Sequence, residues 1–403
     1  MTDPMISRRD FLLATTAIGT ACGISSSFPT ASGTSFDKTS DLISSAPKAR
    51  YWLSTVSEVD CLKCHKSGDD LKVNSHRGKP GIVKCLLCAQ GCILRPDERG
   101  RCRARMNVNG EMRSLVYGRP VAVHIDPIEK KPLYHFLPGS SAFSLATAGC
   151  PLHCKFCQNW EISQARPEDF DTKFISPQTM VSSASSREAP VIAFTYNEPT
   201  VFTEYLTDIA RAAKGQKIRC ALVSCGFMNA EPLAEMCEVL DAIKIDLKGF
   251  NEDFYRKTCE AELQPVLRSI KQIRKSRAHL EIVNLVVPTL NDSESMLKSL
   301  AEWVMGELGP DVPIHFTRFH PDYQLLNLPP TPVSTLDRAR EIAMKQGIRY
   351  VFVGNVPDHP GNHTYCHNCG KIVIRRNSFF VLEMNLKGGK CKFCGTLVGG
   401  VWS

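Results

Sequence analysis

Between residues 143 and 353 short apolar segments recur, with amphipathic runs between most of them. The segments predict strands over 143–148, 191–196, 220–224, 242–247, 281–287, 314–319 and 350–353. Helices are predicted between them over 201–213, 231–240, 265–277, 294–308 and 335–346. Apolar strands that alternate with helices imply a parallel sheet joined by right-handed crossovers. Six or seven such units suit an open or closed barrel better than a two-layer sandwich. In a barrel of this kind the chemistry sits at the C-terminal ends of the strands. The chain is long enough for such a core, with 403 residues and 43% hydrophobic content. Its formal net charge of +8 is scattered and does not interleave with aromatics, so no nucleic-acid partner is expected.

Cysteine is the unusual component. There are 18, and most fall in close groups at 61/64, 85/88/92, 150/154/157, 366/369 and 391/394, with Cys102 just beyond the second group. Disulfide frameworks belong to short secreted chains, so tight pairs inside a large α/β pattern point to metal or redox use. Four regions are predicted: a signal and Ser/Thr-rich tether over 1–50, a Cys-rich accessory metal region over 51–114, the barrel over 115–355, and a zinc-ribbon-like tail over 356–403.

The central motif is Gly149-Cys150-Pro151-Leu152-His153-Cys154-Lys155-Phe156-Cys157-Gln158-Asn159-Trp160, directly after the first barrel strand. Three thiolates spaced three and then two residues apart can wrap one loop around three irons of a [4Fe–4S] cube. With no fourth cysteine nearby, one iron keeps an open position, which separates a catalytic metal site from a closed structural one. That position could chelate the amino and carboxylate groups of S-adenosylmethionine (SAM). One electron would then break a carbon–sulfur bond and leave a 5′-deoxyadenosyl radical, a hydrogen abstractor. The competing reading is a zinc or plain electron-transfer site that borrows a distant cysteine.

These residues resemble the radical SAM superfamily, and within it the pyruvate formate-lyase-activating-enzyme-like branch. The run Cys85-Leu86-Leu87-Cys88…Cys92…Gly100-Arg101-Cys102 is similar to the radical SAM component of the AmmeMemoRadiSam system. So are Val116-Tyr117-Gly118-Arg119, Asp126-Pro127-Ile128-Glu129-Lys130-Lys131-Pro132-Leu133-Tyr134-His135-Phe136 and Cys157-Gln158-Asn159-Trp160. The likeness runs from about residue 80 to the C-terminus. It implies a partial (β/α)6 barrel of the TIM type that binds a [4Fe–4S] cluster and SAM. It also implies an electron donor protein, and a protein substrate or the other members of that system as partners. The deoxyadenosyl radical would then act on a protein partner, a side chain or a small molecule.

Further positions carry over from the resemblance singly. Tyr196-Asn197-Glu198-Pro199 stands where the superfamily has Gly-Gly-Glu, which leaves Glu198 and nearby backbone as the SAM contacts. Asp246 and Lys248 match an Asp-x-Lys pair of activating enzymes, the Lys for the SAM carboxylate and the Asp to orient a ribose or amino group. Their bland alternatives are a surface Lys and a barrel salt bridge. His320 matches a late-strand His, against the structural role that a lone His commonly has. Ser224-Cys225-Gly226 replaces a Thr/Ser-Asn-Gly turn, with Cys225 read as an ordinary buried thiol.

The remaining cysteines predict accessory centres. Cys366, Cys369, Cys391 and Cys394 form two Cys-x-x-Cys-Gly knuckles, a zinc-ribbon or rubredoxin-like site with zinc expected over iron. Cys85, Cys88, Cys92 and Cys102 could hold zinc or an auxiliary Fe–S cluster. Cys61-Leu62-Lys63-Cys64-His65 is the attachment pattern of c-type haem, with His65 as axial ligand and His76 its partner. Against this, Cys61 and Cys64 could pair with Cys85 and Cys88 around zinc or iron. Ser7-Arg8-Arg9-Asp10-Phe11-Leu12 before an apolar stretch matches the twin-arginine export pattern, so periplasm or cell envelope is expected. A chance Arg-Arg pair in a cytoplasmic protein is the alternative. No transmembrane segment is expected after signal removal. The rival to an enzyme is a non-catalytic carrier that passes electrons between haem and Fe–S centres.

Overall fold

Eight strands form the central sheet of the computed structural model, which describes residues 35–54 and 81–403. In chain order they are β1 (Ala122–Pro127), β2 (Ser141–Ala146), β3 (Val191–Phe194), β4 (Arg219–Ser224), β5 (Ala242–Asp246), β6 (His279–Val286), β7 (Ile314–Arg318) and β8 (Val351–Gly354). Each strand pairs with the next. β1 runs antiparallel to β2, and β2 to β8 are all parallel. β1 and β8 are the two edges and do not pair, so the barrel stays open. Every residue of β3 and β8 is buried, as expected where helices cover one face and packed side chains the other.

Six helices make the crossovers: α1 (Pro177–Ser185), α2 (Thr203–Ala213), α3 (Ala230–Val239), α4 (Leu263–Arg274), α5 (Glu294–Leu308) and α6 (Val333–Lys345). Six strand–helix units closed by a seventh parallel strand form the expected partial barrel. The α5 start is set by Ser293, whose hydroxyl accepts the Met296 N–H at 3.3 Å. α1 is not legible from periodicity because its sequence is rich in Ser and Thr. β2 and β3 stop earlier than predicted. After the Thr195 N–H to Leu145 carbonyl bond of 3.0 Å, Tyr196 turns into the left-handed region at φ 69°, and the chain leaves the ladder.

The N-terminal Cys-rich region is built from two small antiparallel pieces. Strands Trp52–Ser54, Val83–Cys85 and Ile93–Leu94 form one, and the hairpin Arg105–Val108 with Glu111–Ser114 the other. The signal and Ser/Thr-rich tether expected over 1–50 is corrected over Ser35–Ser45, which is a helix. Leu42 and Ala46 bury against Met106 and Leu115, an apolar face that the Ser/Thr content masked. The region then seats on the barrel rim. Asn229, just after β4, donates to the Leu86 carbonyl at 2.7 Å and the Cys88 carbonyl at 3.2 Å. Arg105 pairs with Glu204 of α2 at 2.9 Å, both buried. At Gly149 (φ 95°) a Cβ would stand 2.2 Å from the Cys102 carbonyl oxygen, so the two loops touch backbone to backbone.

The tail folds against the opposite end of the chain's core. Strands Thr364–Tyr365, Ile372–Asn377 and Phe380–Met384 form a sheet. Val373, Ile374, Leu386 and Val398 share one apolar cluster with Tyr134, Tyr350 and Phe352. Arg376 is buried there. Its guanidinium lies 4.3 Å from the Tyr134 ring centroid, donates to the Tyr134 carbonyl at 2.6 Å and faces Glu129 at 3.5 Å. Tyr134 and His135 in turn donate their N–H groups to the buried Glu281 carboxylate of β6, at 3.0 and 2.8 Å. The run 126–136, singled out by resemblance, is thus the strap that fastens the tail to the sheet.

Gly149→Ala tests the loop contact. Left-handed strain of about 1–3 kcal/mol plus the clash is expected to lower the urea midpoint of the whole chain. An unchanged midpoint would show that the two loops part freely.

Candidate functional site

Parallel strands end on one rim, and the candidate residues gather there. The loop from Gly149 is held mainly by backbone and amide contacts. Asn197, beyond β3, donates to the Gly149 carbonyl at 2.8 Å, and Asn159 donates to the Tyr196 carbonyl at 2.9 Å. The N–H groups of His153 and Lys155 donate to the Cys259 and Thr258 carbonyls of the turn after β5, at 3.2 and 2.9 Å. Gln158 meets His320 beyond β7, amide nitrogen to imidazole Nε2, at 2.9 Å. Three strand ends therefore set the shape of one loop.

Cys154 is buried, with Cys150 and Cys157 half-buried. Burial pushes the Cys150 and Cys157 thiols up; the Glu198 charge adds to the rise at Cys150, and the neighbouring Cys154 adds at Cys157. Cys154 is lowered instead, first by a hydrogen bond from Cys259 and then, against burial, by the Lys248 ammonium. Burial and that same bond raise the Cys259 thiol well above its ordinary value. Cys259, fully buried, and Cys225 are the two thiols beside this trio that sequence reading missed as neighbours; isolated cysteines carry no spacing signal.

The structure brings Lys248 and Asp246 to the same rim. Burial opposes the charge on Lys248, but Asp246 and the thiols around it hold its pKa well above the ordinary value. Asp246 lies 3.6 Å from Lys248 and also pairs with buried Lys244. Burial raises its carboxyl, and the two ammonium groups outweigh that and hold it below the usual carboxylate range. The barrel salt bridge is therefore present, and its Lys248 end faces the cysteine trio. Glu198 is buried and already accepts four protein donors: the Thr200 N–H at 3.1 Å, the Thr200 hydroxyl at 2.6 Å, the Ser224 hydroxyl at 2.7 Å and the Cys225 N–H at 2.7 Å. It locks the end of β3 to that of β4. Asn197, whose Nδ2 serves the Gly149 carbonyl, leaves its buried Oδ1 without a partner, an acceptor that sequence reading passed over. His320 is exposed and braces the loop.

Two further sulfur groups are assembled. In the tail, Cys366 and Cys394 lie 3.6 Å apart and Cys369 and Cys391 3.8 Å apart. Among the described residues these four are the only set of candidate ligands all within 4.8 Å of one another. A tetrahedron with metal–sulfur bonds of about 2.3 Å needs sulfurs about 3.8 Å apart, so one ion fits here. Gly370 and Gly395, at φ 70° and 76°, let each knuckle turn back on its first cysteine. Cys394, hydrogen-bonded to Thr396, is pushed down to about 6. Cys85, Cys88, Cys92 and Cys102 line one small cavity beside Pro151. Neither they nor the Cys150 trio meet the single-ion spacing, and wider spacing is what a cluster requires, because each sulfur binds a different iron. Cys61, Cys64, His65, His76 and the twin-arginine stretch lie outside the described residues. No helix among the described residues is long and apolar enough to cross a membrane.

A family model described as the radical SAM superfamily matches residues 144–303. An uncharacterized protein of Methanocaldococcus jannaschii is 42% identical over 315 residues, 78% of this chain and 94% of that protein. The pyruvate formate-lyase-activating enzyme of Clostridium pasteurianum is 23% identical over 156 residues, 38% of this chain and 65% of that enzyme. Among solved structures, a radical SAM methyltransferase from Sphaerobacter thermophilus shares 14% identity over 59% of this chain and 71% of that chain, with a TM-score of 0.44.

For the tail, Cys391→Ala is expected to lower the metal content by one ion per chain, zinc being the ion its sequence pattern predicts. The segment after residue 363 should then become open to protease, since little core remains to hold it without metal. Elemental analysis and limited proteolysis read both; unaltered metal content would show that these sulfurs are idle.

Proposed function

From its membership of the radical SAM superfamily, to which this chain belongs, we propose that Cys150, Cys154 and Cys157 hold a [4Fe–4S] cluster with SAM at its fourth iron. The chain is an enzyme of that superfamily, and the superfamily implies both the cluster and SAM. When bound, the cluster supplies the single electron that cleaves SAM reductively and yields a 5′-deoxyadenosyl radical.

The observation that carries the reading is the meeting of three thiols and one buried ammonium on a single rim. The loop holds three sulfurs at more than single-ion spacing, with its backbone fixed by Asn197, Thr258 and Cys259. Lys248 has the charge and place to take the SAM carboxylate, and Asp246 holds it there. The unpartnered Asn197 Oδ1 can accept from the SAM amino group. That assignment moves the amino contact from Glu198, whose oxygens serve the rim itself, to its neighbour. Cys259 stands against Cys154 as a neighbour of the trio, and this reading keeps it outside the ligand set.

Relatives named as activating enzymes for pyruvate formate-lyase and isethionate sulfite-lyase point to a protein as the hydrogen donor. A backbone glycine of a partner enzyme is the substrate this reading favours, with a one-electron carrier protein as reductant. Export by the twin-arginine route belongs to the same proposal.

Anaerobically reconstituted protein given dithionite and SAM is expected to release methionine and 5′-deoxyadenosine, with Cys154→Ala releasing neither. Lys248→Met should weaken SAM binding by about ten- to a hundredfold, matching about 1.5–3 kcal/mol for a hydrogen bond to a charged group, at unchanged iron content. Failure of the loaded wild type to cleave SAM would leave the electron-carrier reading in its place.

A further inference from the structure

The four thiols of Cys85, Cys88, Cys92 and Cys102 come from two separate turns yet face one cavity. The first turn is tied by the Cys85 N–H to Cys92 carbonyl bond of 2.9 Å and the Gly91 N–H to Cys88 carbonyl bond of 3.2 Å. The second places Cys102 opposite, where a Cβ on Gly100 would already lie 3.6 Å from the Cys102 sulfur and 3.9 Å from that of Cys92. All four are free thiols. Unlike the tail cysteines they do not all lie within 4.8 Å of one another, which leaves room for more than one metal atom. The wall also carries Arg101 and buried Arg105, each with a buried Nε that has no partner. A cluster held by four thiolates is an anion; these two guanidinium groups, though paired with Glu260 and Glu204, keep an N–H each to turn toward it.

This cavity adjoins the first site. Pro151 lines it, Gln90 donates to the Pro151 carbonyl at 3.1 Å, and the Cys102 carbonyl abuts Gly149, the residue before Cys150. On the other side Ile93 is exposed next to half-buried Cys92, so the cavity lies between solvent and the radical loop.

We propose that Cys85, Cys88, Cys92 and Cys102 hold a second iron–sulfur cluster, and that it passes single electrons inward to the Cys150 loop. The relay rests on the function proposed above; the cluster itself does not. A reduced one-electron carrier protein loses one electron to the second cluster, which then loses it to the first. No atom or proton moves, and the second cluster returns to its starting state.

The test uses the full chain reconstituted anaerobically with iron and sulfide. A Cys150→Ala/Cys154→Ala/Cys157→Ala variant is expected to keep about four acid-labile sulfides per chain, against about eight in the wild type, with a paramagnetic signal on reduction. Adding Cys88→Ser and Cys102→Ser should remove the rest. A triple variant with zinc and no sulfide would overturn the second cluster. Equal sulfide in wild type and triple variant would instead count against the first. In otherwise wild-type protein, Cys88→Ser/Cys102→Ser should slow reduction of the first cluster by a reduced ferredoxin at least tenfold, and an unchanged rate would overturn the relay. Cys92→Ser, at a half-buried position, gives the same reading should the double variant not fold.

Discussion

Seven parallel strands end on one side of the sheet, and beyond their last ladder bonds the backbone groups need other partners. Much of this site follows from how those groups are satisfied. The Gly149 carbonyl takes the Asn197 amide, the Tyr196 carbonyl takes Asn159, and the carbonyls after β5 take the N–H groups of His153 and Lys155. A loop fixed in this way presents its three sulfurs on the rim, while the two knuckles of the tail converge on one ion-sized point.

Charge on the rim is arranged in layers. Thiols surrounded by apolar side chains resist ionisation, and a metal must displace their protons. Lys248 sits where that negative charge would collect, and Asp246 ties it to Lys244 on the sheet. Glu198 plays a different part. With four donors it is a strut between β3 and β4, and its field keeps the nearby Cys225 thiol neutral together with burial. A buried carboxylate with most lone pairs filled can orient a site without touching what binds there.

The two flanking regions differ in how they attach. The tail is joined through apolar packing on Tyr134, Tyr350 and Phe352 and a buried Arg376–Glu129 pair, distant from the rim. That pair is costly to break one-sidedly, since either partner alone would be a buried charge. The N-terminal region is joined at the rim by backbone contacts, and Gly149 is the point where only a residue without Cβ permits the approach.

How far the amino-acid order speaks for itself depends on distance along the chain. The strands from β2 to β8 and most of the crossovers are legible, because parallel strands are apolar on both faces and their helices on one. The Cys150, Cys154 and Cys157 trio and the tail knuckles are legible too, since one loop or turn can deliver those sulfurs from local spacing. β1 is not: it is a polar edge, with Val123 and Ile125 exposed, and only pairing with β2 makes it a strand. Nor is Cys259, a lone cysteine brought to Cys154 by the turn after β5, or the touch of Cys102 on Gly149. Contacts of this kind join residues far apart in the chain that meet only once the sheet has ordered its loops, and no spacing rule reaches across that gap.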